Sequence, residues 1–98
     1  MKRARFLQEA EAEFLAEVAY YSEVQARGAE RFRAAVEEAT ARAVTFPMAG
    51  LPYMAKTRRV FVKGYPFFLV YRPGSTGVAV MAVVHESRRP GYWLSRTR

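Results

Sequence analysis

The chain has 98 residues, no cysteine, 51% apolar residues, and 16 Lys and Arg against 9 Asp and Glu, a formal net charge of +7. This length makes one domain, residues 1–98, with room for a single core, and the apolar content excludes a disordered chain. Without cysteine there is no disulfide framework and no thiolate zinc site, and nothing points to a cofactor or a bound metal.

The first element is "KRARF" (Lys2 to Phe6), which alternates charge with small or aromatic residues and predicts a short edge strand. From Leu7 the period changes. Leu7, Ala10, Phe14, Val18, Tyr21 and Val24 fall three or four apart, one stripe of an α-helix, with Glu9, Glu13, Glu17 and Glu23 off the stripe and expected to face water. Gly28 interrupts, as a helix C-cap or a tight turn. A second stripe runs through Phe32, Ala35, Val36, Ala39, Ala43 and Phe46 until Pro47 ends it, so the two segments predict an αα-hairpin. The stretch "FPMAGLPYMAK" (Phe46 to Lys56), punctuated by Pro and Gly, predicts a loop. Three strands follow, "TRRVFVK", "PFFLVYR" and "GVAVMAVV", separated by hairpin-like "GY" and "PGST". The order is β-α-α-β-β-β and the class α+β, with a three-stranded antiparallel sheet.

Alternation in that sheet sets a problem. Phe68 and Val70 point one way, and Phe67, Leu69 and Tyr71 the other; in the last strand Val78, Val80, Ala82 and Val84 oppose Ala79, Met81 and Val83. Both faces are apolar, yet two helices cover one face only. The open face therefore predicts a partner protein or a homodimer; the competing arrangement folds the 46–56 loop and the tail from Pro90 back over it.

Charge is divided unevenly along the chain. Residues 1–45 carry a net −1, whereas residues 46–98 hold only Glu86 against Lys56, Arg58, Arg59, Lys63, Arg72, Arg88, Arg89, Arg96 and Arg98, a net +8. A basic half favours an anionic partner, nucleic acid or an acidic protein surface. The last strand runs directly into "HESRRPGYW" (His85 to Trp93), where the single histidine, two arginines and two aromatics adjoin. The basic N-terminus does not develop into a signal peptide, and the longest apolar run is too short to span a membrane, so the expected address is the cytoplasm.

The helices with "AEVAYY" and "ERFRAAVEEA", the run "FPMAGLPYMAKTRRVFVKGYPFFLVYR" and the ending "VMAVVHESRRPGYW" together resemble the RelE/ParE toxin superfamily, in its ParE-like, plasmid-stabilisation branch. The resemblance implies the toxin half of a type II toxin–antitoxin pair, with a cognate antitoxin seated on the open face at Phe67, Leu69, Tyr71, Met81 and Val83. It implies DNA gyrase as the target, inhibited by binding through Arg88, Arg89, Arg59, Lys63, Tyr92 and Trp93. The alternatives are a ribosome-dependent endoribonuclease acting on messenger RNA, for which His85, Arg88 and Tyr92 are the candidate catalytic residues, and a non-toxic basic binding module. The stretch "GYPFF" lacks the arginine that RelE-type nucleases usually carry after this Gly-Tyr, and only Lys56 and Lys63 represent their lysines, which weighs towards gyrase.

Overall fold

A computed structural model describes residues 2–98. Strand β1 (Arg3–Phe6) leads into helix α1 (Gln8–Val24), which turns into helix α2 (Gly28–Thr45). Strands β2 (Leu51–Tyr53), β3 (Thr57–Val62), β4 (Phe67–Gly74) and β5 (Gly77–His85) follow, and a short 3₁₀ turn (Leu94–Thr97) ends the chain. The α+β order is as the sequence predicts. The sheet, however, has five strands in the order β1-β5-β4-β3-β2, not three.

β1 is the edge strand that its sequence predicts, though not its parallel partner; β2 is not predicted at all. β2 lies inside the predicted 46–56 loop and pairs antiparallel with the start of β3, Leu51 opposite Arg59 and Tyr53 opposite Thr57. β1 joins the far edge, parallel to β5, with Arg3 opposite Gly77 and Phe6 opposite Val80. A Cβ at Gly77 would collide with the Arg3 backbone, and its φ is +137°, so only glycine lets the two strands meet there. Gly28 has a similar function at the helical hairpin. It is the first residue of α2 and not a cap of α1, and a Cβ on it would strike the Tyr21 carbonyl.

One side of the sheet packs against the helices. Ala10, Val18, Phe32, Val36 and Ala39 meet Val60, Val62, Phe67, Leu69, Tyr71, Val78, Val80 and Val83. Tyr21, Phe32, Phe67 and Tyr65 form a chain of ring contacts at its centre, with centroids 5.0 to 5.6 Å apart. The stripes end sooner than their periodicity suggests: Val24 and Phe46 are 52% and 64% exposed at the helix ends.

The opposite face is also closed. Phe68, Val70, Met81, Ala82 and Val84 are buried beneath Trp93, with Tyr53, Met54, Tyr92 and Leu94 around them. Trp93 has no exposed surface, and its ring lies 5.7 Å from that of Tyr53. The tail and the 46–56 segment therefore form the cover, and the expected open face does not exist. Phe67, Leu69, Tyr71, Met81 and Val83 are all at most 6% exposed, the first three and Val83 under the helices and Met81 under the tail. An antitoxin has no access to them in this fold. Burying an indole and its neighbours removes enough apolar area to outweigh the ordering of a few tail residues.

Strict alternation also fails in β5. Val70 faces Ala82 while the next residue, Tyr71, faces Val80, so Met81 is an extra residue in the ladder, a β-bulge. Before it Val78 and Val80 face the helices; after it Val83 does, and Ala82 and Val84 turn to the tail. The two halves of this strand are thus out of phase, which a uniform period of two cannot express.

Candidate functional site

The chemistry of the tail begins at an unfinished sheet edge. β1 stops at Phe6, and Leu7 N–H makes the last bond to β5, at the Val80 carbonyl. Beyond it the outer edge of β5 needs other partners, because a buried backbone group left unbonded is costly. Glu13 of α1 supplies one: its carboxylate accepts the Val83 N–H at 3.0 Å, the Tyr92 hydroxyl at 2.6 Å, and the two terminal nitrogens of Arg96 at 2.9 and 3.1 Å. Arg96 in turn donates to the Met81 carbonyl at 3.1 Å. This carboxylate ties the first helix, the last strand and the tail together. The sequence places Glu13 off the apolar stripe and predicts it in water; it is instead about four-fifths shielded.

The electrostatics follow from that packing. Burial alone would raise the Glu13 carboxyl, but the bonds from Arg96, Tyr92 and the Val83 amide outweigh it and hold the group below its ordinary value. The Tyr92 phenol is pushed well up, by burial first and then by donating to Glu13, so it stays protonated. Arg96 is raised by the same carboxylate.

Above this clamp lies a basic rim. The Arg88 guanidinium sits 4.0 Å over the Tyr92 ring, and Arg96 lies 5.3 Å from the same ring. Arg88 and its neighbour Arg89 are exposed. His85, at the end of β5, accepts the Ser87 N–H on Nδ1 at 3.0 Å and contacts the Ser87 hydroxyl at 2.7 Å. Its ring stands edge-on to Phe67, with centroids 5.0 Å apart.

The residues expected to bind a target do not form one surface. Arg88 and Tyr92 come together, with Arg89 beside them. Trp93 is core and cannot stack on anything outside the molecule. Arg59 lies by the β2–β3 pairing, over the Tyr53 ring at 4.5 Å and near Phe68. Lys63 approaches Glu38 of α2 at 4.0 Å. Of the three candidate catalytic residues, Arg88 stacks on Tyr92, while the Tyr92 hydroxyl and His85 Nδ1 are already engaged within the chain.

A second surface is apolar. Phe46, Met48, Leu51 and Phe61 are 42 to 66% exposed. Three of them, Phe46, Leu51 and Phe61, line one shallow pocket of about 280 Å³ that Arg42 and Arg59 flank. No local pattern marks this corner, because it forms where the end of α2 meets the β2–β3 edge.

A sheet backed on one side by an αα-hairpin and on the other by its own basic tail describes a small α+β protein whose exposed features suit macromolecular binding. The model of the family described as the ParE toxin of the type II toxin–antitoxin system, parDE, matches residues 4–90. The chain belongs to that family, and membership implies an antitoxin partner. A solved structure titled the chromosomal ParDE TA system from P. aeruginosa has the same fold, with a TM-score of 0.68 and 18% identity over 87% of this chain and 96% of that one. Among curated proteins none matches.

Proposed function

We propose that this toxin acts by binding DNA gyrase through the rim of Arg88, Arg89 and Tyr92, and that its antitoxin covers the apolar corner of Phe46, Met48, Leu51 and Phe61. The observation that carries the first part is the Arg88–Tyr92 stack. Tyr92 is held by Glu13, so Arg88 rests on a positioned ring and has less rotamer freedom to lose on docking than an unstacked arginine. The Tyr92 hydroxyl, committed to Glu13, suits recognition better than proton transfer, which needs an acid free to reach a reacting oxygen. For the second part, a pocket flanked by Arg42 and Arg59 complements a segment that carries a bulky apolar residue beside carboxylates.

Purified protein added to a gyrase supercoiling reaction tests the first part. Wild-type protein is expected to block supercoiling, and Arg88→Ala to weaken the block at least tenfold at unchanged thermal stability, a loss typical of an anchor residue. Untouched supercoiling, together with codon-position cuts in the message of a translation extract, would replace this reading with the ribonuclease.

A further inference from the structure

We infer that the groove between Arg3 and Arg5 on one wall and Arg72 on the other binds the phosphate backbone of duplex DNA. This goes beyond gyrase binding and does not depend on it.

The groove is a product of the parallel β1–β5 pairing. Arg5 lies opposite Ala79, and across the next ladder Arg72 also lies opposite Ala79. Paired residues share a face, so Arg5, Ala79 and Arg72 form a row across three adjacent strands, with the outer two Cα atoms roughly 10 Å apart. Arg3 stands one step along the same face, opposite Gly77. Between the basic walls Ala79 and Gly77, the residues paired with Arg5 and Arg3, carry nothing beyond Cβ, Thr76 and Met81 also line the space, and an open groove of about 750 Å³ remains. No carboxylate lines it.

The arginines divide the work. Arg72 donates to the Ala55 and Thr97 carbonyls, so it is a fixed wall that contributes field. Arg3 and Arg5 are exposed. Among the described residues the ion pairs join Arg27 to Glu30, Arg42 and Lys63 to Glu38, and Arg96 to Glu13, so the Arg3 and Arg5 forks have no carboxylate to compete with a phosphate.

The lining selects among anions. It contains no aromatic ring, so unpaired bases find no stacking platform, and a single strand gains little here. β5 is paired on both sides at this level, so an extended peptide cannot add as a strand on the floor. The floor also lacks a deep apolar pocket for a peptide anchor. A duplex backbone, with closely spaced phosphates and no need for base contacts, satisfies the remaining features.

The test uses the full chain alone and a labelled duplex of about 20 base pairs, read by fluorescence anisotropy from roughly 50 to 200 mM salt. Arg3→Ala/Arg5→Ala should weaken binding about tenfold or more and lower the slope of log K against log salt by about 2. Arg31→Ala/Arg33→Ala, the same charge change on α2, should leave most of the affinity and the slope in place. Ala79→Met raises the floor without changing charge and should also weaken binding; equal thermal melts of all variants exclude misfolding. Equal losses from both arginine pairs would overturn the proposal, since the net charge of the molecule would then explain binding. Undiminished binding by the Arg3/Arg5 and Ala79 variants, or tighter binding to a single-stranded RNA of the same length, would also overturn it.

Discussion

At the residue scale, Glu13 does most to hold the tail. Its ion pair with Arg96 is mostly shielded, with side-chain exposures of 19% and 15%, so it is worth more than a surface pair. Glu13→Gln leaves Arg96 partly buried without a counter-charge and should cost about 2 kcal/mol, a fall in melting temperature of roughly 10 °C. The pH dependence has a definite sign. A carboxyl held below its ordinary 4.5 stabilises the fold at pH above 4.5 and loses that contribution as pH falls through its lower folded value. Denaturant melts of wild type should therefore lose stability on acidification below that point, and the Gln variant should lose less over the same range. An identical pH profile for both would assign the acid sensitivity elsewhere.

At the element scale, two junctions decide the sheet. The Met81 bulge lets one strand serve both cores, and β1 closes against β5 only because Gly77 has no side chain. Gly77→Val places a branched side chain into the Arg3 backbone at a left-handed φ, so β1 should detach. We expect a loss of about 3 kcal/mol or more in denaturant melts and rapid amide exchange at Leu7 and Val80. Because Arg3 and Arg5 leave with the strand, DNA binding should fall in the same variant. Normal protection of the Leu7 amide would show that the pairing survives.

At the scale of the whole molecule, exposed surface is divided by chemistry. The basic rim at Arg88, the arginine groove at Arg3 and Arg5, and the apolar corner at Phe46 draw on different parts of the chain. On the reading proposed above, the corner receives the antitoxin and the charged surfaces meet an anionic target. Leu51→Asp with Phe46→Asp is thus expected to weaken the complex with the cognate antitoxin by roughly thirtyfold or more, measured by titration calorimetry. Tyr20→Asp, a change at a 54% exposed position on α1, should not. Loss only with the Tyr20 variant would move the interface to the helices.

Much of this architecture was written in local patterns. Helical stripes, strand composition and turn residues gave the α+β order and most element bounds, because amphipathic period and backbone preference are local properties. The two helices, the Phe46 to Arg72 run and the ending from Val80 to Trp93 carried the family resemblance together, and the family match agrees. What covers the second face was not local. Whether Trp93 folds inward or waits for a partner depends on packing against Tyr53 and Phe68, far away in the chain. The same holds for the phase slip at Met81, the parallel seat of β1, and a glutamate that looked solvated until an arginine eighty-three positions later reached it. Sequence period fixes which side chains share a face; only the closed three-dimensional packing decides what that face meets, because the contacts that satisfy it are made between residues with no neighbourhood along the chain.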